Sequence, residues 1–127
     1  MRHDDPLAEM MTVTPRDLAS RPLIFHGNHA DEIDPQLNEV FERDRLMRDV
    51  SVQVTSSVGA VPLACGGIGI ALIDGLVRWK GVTVRPFMPE VTMNVAVSTN
   101  TARPLSRFFK PFVGELRKLF RALPAQN

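Results

Sequence analysis

The sequence has a single cysteine, Cys65, among its 127 residues. One thiol cannot form an internal disulfide or supply the cysteine pairs of thiolate metal sites, and it fits a reducing compartment such as the cytoplasm. An excess of charge is also missing, since 15 basic and 14 acidic residues give a formal net charge of +1. A chain so close to neutral offers no electrostatic basis for binding nucleic acid directly.

Long apolar runs are missing as well. None approaches the roughly 20 residues of a transmembrane helix, and residues 1–5 are too polar for a secretion signal. The sequence shows no paired acid and base or activated nucleophile, so we expect no enzymatic activity. Gly67-Ile68-Gly69 precedes a predicted strand and lacks a third glycine, so it does not predict a dinucleotide cofactor. What is present is 44% hydrophobic residues, enough for the core of one domain.

Predicted strands and helices alternate through the first part of the chain. The strands are predicted from their apolar patterns, and they cover residues 22–25, 50–54 and 68–73. The last of these is apolar throughout, so it should be covered on both faces of a sheet. Helices are predicted before and between the strands. This alternation is typical of an α/β fold with a largely parallel sheet.

The first two helices have recognisable starts. Thr14 is a suitable N-cap, Pro15 fits the first helical position, and Asp17 stands where a capping box needs an acid. Asp34 followed by Pro35 predicts the cap and the first residue of the second helix.

The pattern changes after Gly81. Residues 82–87 are predicted to be extended and residues 91–97 to form a further strand. A long helix then follows, either bent at Pro111 or regular only from there. Its apolar residues recur at the spacing of one buried helix face, and they are Phe108, Phe109, Phe112, Val113, Leu116, Leu119, Phe120 and Leu123. Soluble monomers rarely expose so large an apolar surface. The sequence therefore predicts that this face packs against the rest of a larger protein or against a second copy of the chain.

Three hydroxyl residues, Thr55, Ser56 and Ser57, precede a short apolar helix that is predicted to end near Cys65. A helix start leaves backbone N–H groups without partners, and the helix dipole places a partial positive charge there. Both properties suit a carboxylate or another small anion. The three hydroxyl residues are therefore candidate ligand contacts, although capping of the helix alone would also explain them.

The segment His26-Gly27-Asn28-His29 follows the first predicted strand. Ligands of open α/β sheets bind beyond the carboxyl ends of the strands. His26, Gly27 and Asn28 are therefore further candidate ligand residues, with an ordinary surface turn as the alternative. The two histidines do not predict a metal site, because the sequence fixes no third ligand. Trp79 lies between two basic residues and is interpreted as a rim or packing residue rather than a platform for nucleic-acid bases.

Four segments together resemble the effector-binding domain of LysR-type transcriptional regulators. Asp5-Pro6-Leu7-Ala8, followed by the segments 13–19 and 22–24, resembles the opening of their second effector subdomain. Residues 52–74 resemble their serine-capped helix and the Gly-Ile-Gly-Ile-Ala-Leu strand after it. Residues 82–87 resemble the second hinge strand, and Arg103-Pro104-Leu105-Ser106 with the following helix resembles the C-terminal helix of the first subdomain. The resemblance covers nearly the whole chain in the right order.

This resemblance implies a type 2 periplasmic-binding-protein fold, in which two α/β lobes are joined by two crossing strands and hold a small molecule in their cleft. Residues 1–4 would end the first crossing strand, and residues 5–81 would form one nearly complete lobe. Residues 82–87 would be the second crossing strand. Residues 88–127 would be the returning strand and C-terminal helix of the other lobe. The DNA-binding winged helix-turn-helix and most of the first lobe are expected to be absent from this chain.

The resemblance also implies the function of a small-molecule sensor. The family places a ligand carboxylate or polar group at the start of the helix that begins here near Ser56. The strand ending in Asp74 looks most like members that sense amino acids, so an amino acid or a related small organic acid is the expected effector. Self-association through exposed lobe surfaces is expected, DNA is expected to be bound only through the missing domain, and no membrane, metal or cofactor is implied. Two alternatives stay open, a lobe of a transport-type solute-binding protein and a truncated regulator without independent activity.

Overall fold

The fold is known from a computed structural model, which describes residues 1–26, 33–75, 77, 79–92, 96–100 and 106–122. The chain divides into two compact units, Met1–Met93 and Asn94–Asn127. The elements of the first unit are, in chain order, a 3₁₀ helix Pro6–Glu9, α1 Pro15–Leu18, β1 Leu23–His26, α2 Ile33–Arg43, β2 Val50–Val54, α3 Ser57–Cys65 and β3 Ile70–Leu72. The second unit contains α4, Phe109–Ala122.

The three strands form a parallel sheet in the order β2-β1-β3. His26 at the end of β1 lies beside Val54 at the end of β2, and Phe25 lies beside Leu72 at the end of β3. All three strands therefore finish at one edge, which we call the carboxyl edge. The predicted α/β class with a parallel sheet is confirmed for these residues.

The two faces of the sheet are covered by different helices. The chain crosses from β1 to the strand on one side and then to the strand on the other side, so right-handed crossovers place the connecting helices on opposite faces. Leu23 of β1 packs with Leu18 of α1 and Phe41 of α2. Ile24, the next residue of β1, packs with Ala60 of α3. Neighbouring residues of a strand point to opposite faces, so β1 is at the centre of both clusters.

The predicted start of α1 is confirmed. Pro15 is its first residue, and the backbone N–H of Thr14 donates to Oδ2 of Asp17 at 2.8 Å. The Thr14 hydroxyl donates to the same oxygen at 2.6 Å. Because these bonds favour the ionised carboxyl group, they hold the pKa of Asp17 below its ordinary value, and the hydroxyl of Thr14 is the larger cause.

Replacing Asp17 by asparagine is expected to lower the free energy of unfolding at neutral pH by about 1 kcal/mol or less, the usual contribution of a cap. The folded pKa of Asp17 lies below the unfolded value of about 3.9, so its stabilisation is complete above that value and is lost as the pH falls through the folded pKa. The difference from the parent chain should therefore vanish in acid. Urea unfolding at several pH values measures it, and Glu42→Gln on the exposed surface of α2 is the control. A difference that persists in acid would contradict this account.

The predicted start of α2 is wrong. The helix already begins at Ile33, so Asp34 lies inside its first turn and does not cap it. The carboxylate of Asp34 accepts a hydrogen bond from Arg48 instead. Pro35 is consequently the third residue of the helix, where a backbone N–H has no intrahelical partner in any case.

The strand predicted at 68–73 is shorter than expected. β3 covers only Ile70–Leu72, and Ile70 is its one buried residue. Ile68, before the strand, is 50% exposed. The expectation that the whole apolar run is covered on both faces is therefore wrong.

The strand predicted at 91–97 is not formed by the residues described there, which are Val91, Thr92, Ala96 and Val97. Residues 93–95 lie outside the described part of the chain. An alternating pattern becomes a strand only when a neighbouring backbone supplies hydrogen bonds. The extended segment 82–87, the expected partner, is bridged to Arg2 and Val13 instead.

α4 confirms the predicted long amphipathic helix. Pro111 is its third residue, so the proline is accommodated in the first turn, where it removes no intrahelical hydrogen bond. Val113 is buried, whereas Phe112 is 64% exposed and Leu119 is 60% exposed. Leu123 lies outside the described residues. Neither α4 nor any other helix in the described ranges is long and apolar enough to cross a membrane.

Candidate functional site

α3 begins at the carboxyl edge of the sheet. β2 ends at Val54, and the exposed residues Thr55 and Ser56 lead directly into the helix. Ser56 is the N-cap, and its Oγ accepts a hydrogen bond from the backbone N–H of Gly59 at 3.1 Å. The capping interpretation of the hydroxyl cluster is thus confirmed at Ser56. The positive end of the helix dipole lies at the same edge.

Ser57 has a different environment from its two neighbours. It is the first residue of α3 and only 7% exposed. Its hydroxyl donates to Oδ2 of Asp74. Asp74 follows β3, which ends at Leu72, so this bond connects the end of one strand to the start of the helix.

His26 belongs to the same edge through its backbone. It is the last residue of β1, the central strand, and it pairs in register with Val54, the residue before Thr55. Gly27 and Asn28, the other two predicted residues of this segment, lie outside the described residues. The structure thus brings Thr55, Ser56 and Ser57 next to the end of β1.

Two residues at this edge were missed as candidate ligand contacts. Asp74 is one, and its signal in the sequence was its position as the first charged residue after an apolar strand, the argument already used for His26. Val58 is the other, since it is 59% exposed in the first turn of α3. It gives the edge an apolar surface beside the hydroxyl residues.

The electrostatics of the carboxyl edge combine two opposite charges. The start of α3 supplies a partial positive charge from its backbone N–H groups. The carboxylate of Asp74 supplies a negative charge within one hydrogen bond of the same helix. Such an arrangement can bind a molecule that carries a carboxylate and an ammonium group together.

Arg48 holds the beginning of α2 against the central strand. Its Nη2 donates to Oδ1 of Asp34 and to Oδ1 of Asn38, and its Cζ lies 5.0 Å from the centre of the Phe25 ring. Its side chain is only 9% exposed, and a charge so deeply buried requires such partners. Phe25 is followed by His26, so Arg48 fixes the first turn of α2 beside the end of β1.

The described part of the chain holds no group of three or more His, Cys, Asp or Glu side chains placed to bind a metal ion.

Comparison with protein-family models matches residues 1–121 to the LysR substrate binding domain. The chain belongs to the LysR substrate-binding domain family. The resemblance inferred from the sequence is confirmed at this level, and the three-stranded parallel sheet agrees with it. A search of curated proteins found no match.

Membership in the LysR substrate-binding domain family assigns the chain to transcription regulation. The family implies the portion of a LysR-type regulator that binds a small-molecule effector. At the carboxyl edge the structure places the polar side chains of Ser56, Ser57 and Asp74, each hydrogen-bonded within the chain.

Proposed function

We propose that this chain is the effector sensor of a LysR-type transcriptional regulator and that the effector binds at the carboxyl edge. One observation carries the proposal. The residues matched to the family include the carboxyl edge, where the hydroxyl-capped start of α3 contacts Asp74. The proposed ligand residues are Thr55, Ser56, Ser57, His26, Gly27 and Asn28, and Asp74 is added to them.

The proposed effector is an amino acid. A plain carboxylate would be attracted to the start of α3 but repelled by the carboxylate of Asp74. An amino acid would place its carboxylate at the helix start and its ammonium group beside Asp74, so both groups would gain favourable contacts. The hydrogen bond between Asp74 and Ser57 supports this choice, because it keeps the negative charge next to the helix.

We further propose the two-lobe arrangement that the family implies. Residues 5–81 would form the second lobe and 88–127 the C-terminal part of the first, with 1–4 and 82–87 as the crossing strands. This is supported by two hydrogen bonds between the crossing segments. The Met1 amino group donates to the Thr83 carbonyl at 3.3 Å, and the Thr83 N–H donates to the Met1 carbonyl at 2.9 Å.

In this proposal the effector favours one orientation of the two lobes. A ligand shifts such an equilibrium only through unequal affinity for the two arrangements. The shift would reach DNA through a winged helix-turn-helix domain outside this chain, in an oligomer formed through exposed lobe surfaces. The cytoplasm is the proposed location.

The site is tested by replacing its hydroxyl groups. Common amino acids are first screened by thermal shift on this chain, with acetate as a carboxylate that lacks an ammonium group. Isothermal titration calorimetry then measures the affinity of any amino acid that stabilises the chain. Ser56→Ala and Ser57→Ala should each weaken it by about tenfold or more, since a hydrogen bond to a charged group contributes about 1.5–3 kcal/mol.

The matched control for this test is Ser51→Ala. Ser51 is an exposed serine of β2 whose hydroxyl contacts Asp49, so its loss should leave the affinity unchanged. Unchanged affinity in both Ser56→Ala and Ser57→Ala would remove the proposed site. Stabilisation by acetate equal to that by the amino acid would contradict the role of Asp74.

A further inference from the structure

A wide-open concavity lies on the segment between β3 and the proposed second crossing strand. Its volume is about 670 Å³, and the described residues that line it are Trp79, Lys80, Val82, Thr83, Val84 and Arg85. Sites for small molecules usually have volumes of roughly 300–1,000 Å³. We call this concavity the Trp79 surface.

The Trp79 surface is distant from the carboxyl edge. Gly81, within this segment, has its carbonyl oxygen 4.0 Å from Sγ of Cys65, the last residue of α3. Ser57 is the first residue of the same helix and contacts Asp74. α3 has nine residues and is therefore about 13 Å long, so the two surfaces lie at opposite ends of the helix.

A turn at Gly81 builds this surface. The backbone of Gly81 has φ = 90°, a conformation that residues with a Cβ rarely adopt. Trp79 and Lys80 precede this turn, and the other four lining residues follow it. A Cβ at Gly81 would also lie 3.2 Å from Sγ of Cys65, so a larger residue would have to move this side chain slightly in addition to adopting the strained backbone conformation.

The charged side chains of the described lining are both cationic. Arg85 donates from Nη2 to the Ala8 carbonyl at 2.5 Å and from Nη1 to the Val84 carbonyl at 3.1 Å. These bonds fix its guanidinium group but do not neutralise it, because neither acceptor carries a full charge. Lys80 is exposed and forms no ion pair with any residue in the described ranges. The lining therefore carries two positive charges and suits an anion.

The aromatic residue that lines the Trp79 surface is Trp79 itself. It is the chain's only tryptophan and is 55% exposed, although tryptophan is on average a strongly buried residue. Val82 and Val84 line the surface beside it. An exposed indole ring gains most from a flat apolar partner, through stacking and the removal of apolar area from water.

We propose that the Trp79 surface binds a small aromatic carboxylate, with its ring on Trp79 and its carboxylate beside Lys80. This site is separate from the effector site and goes beyond the proposed function. A small anion without a ring would leave the indole exposed, and a neutral aromatic would leave the positive charge without a partner. Both features of the lining are used only when ring and carboxylate belong to one molecule.

The test uses the intrinsic fluorescence of the whole chain. Because the sequence has one tryptophan and no tyrosine, the emission reports on Trp79. Benzoate is the probe, with benzamide as its neutral counterpart and acetate as the carboxylate without a ring. We expect benzoate to change the emission in a saturable way. Benzamide and acetate should need concentrations at least about tenfold higher to produce half of the same change.

Two lysine variants locate the binding. Lys80→Met should lower the affinity for benzoate by about tenfold, because it removes one charge-assisted contact. Lys110→Met removes the same charge from an exposed position of α4 and should leave the affinity unchanged. Both lysines are exposed, so neither change should disturb folding. Trp79→Leu, followed by calorimetry, should also weaken the binding of benzoate.

Three outcomes would overturn the proposal. One is the absence of a saturable benzoate signal, and another is equal binding of benzoate, benzamide and acetate. The third is equal affinity in Lys80→Met and Lys110→Met. If Ser57→Ala lowered the affinity for benzoate and Lys80→Met did not, the result would show that benzoate binds at the carboxyl edge. That result would remove the Trp79 site and leave the proposed effector site intact.

Discussion

Replacing Phe41 by alanine is expected to lower the free energy of unfolding by about 3–5 kcal/mol. Phe41 is only 1% exposed and joins α2 to the sheet by packing with Leu18 and Leu23. Its ring centroid lies 6.2 Å from that of Phe87 in a stacked arrangement. Alanine would leave a cavity between these groups. Native domains have a total stability of about 5–15 kcal/mol, so this one change removes much of it.

Urea unfolding measures the effect, and the emission of Trp79 follows the unit that contains Phe41. Phe112→Ala is the matched control, because this phenylalanine is 64% exposed on α4. Its replacement should change the free energy of unfolding of the same unit by about 0.5 kcal/mol or less. Equal losses in the two variants would contradict the assignment of Phe41 to the core.

The second large effect is expected for Gly69→Ala. A Cβ at this position would lie 2.4 Å from the carbonyl oxygen of Pro22, which is backbone and cannot rotate away. The N–H of Ile70, the next residue, donates to that same oxygen at 2.9 Å. The new methyl group would therefore push β3 away from β1 at the start of their pairing. We expect a loss of about 1–3 kcal/mol or more, as for other overpacked sites.

Gly114→Ala is the control with the opposite expected sign. Gly114 lies inside α4, and a Cβ there would meet nothing within 4 Å. Alanine is favoured over glycine in a helix by about 1 kcal/mol, so this change should stabilise α4. Thermal unfolding followed by circular dichroism compares the two variants. If Gly69→Ala were as well tolerated as Gly114→Ala, the close contact between β3 and Pro22 would be disproved.

The α/β class was predictable because its signals are local. The valines of β2 alternate with polar residues along one strand, and Thr14, Pro15 and Asp17 define a helix start within four positions of the chain. The Ser56 cap has the same character, since its partner is the N–H of Gly59. Each of these features depends on neighbours in the sequence and needs no knowledge of the fold.

Contacts between distant residues could not be predicted in the same way. The position of Asp34 before a proline predicts a helix cap, but the structure pairs this residue with Arg48. The two residues come together only in the folded protein. Residues 91–97 alternate like a strand, yet their described members form none, because a strand also depends on a partner. The contact of Ser57 with Asp74 likewise requires β3 and α3 to be in place.

The candidate site was therefore predictable only in part. The hydroxyl residues were found from their position before a helix, and the resemblance to LysR-type regulators supplied their proposed role. Asp74 entered the sequence analysis only through the resemblance and was not named as a ligand contact, because a single acidic residue after a strand has many ordinary explanations. Its contact with Ser57 at the start of α3 is visible only in the folded structure.

The stretch of chain that begins at Asp74 and ends at Gly81 is anchored at both ends of α3, through Ser57 at one end and Cys65 at the other. The contact at Ser57 is the stronger of the two, because it joins a hydroxyl group to a carboxylate, whereas the thiol of Cys65 lies 4.0 Å from the Gly81 carbonyl oxygen. A ligand that competed with Ser57 for the carboxylate of Asp74 would therefore loosen this stretch of chain at its first end.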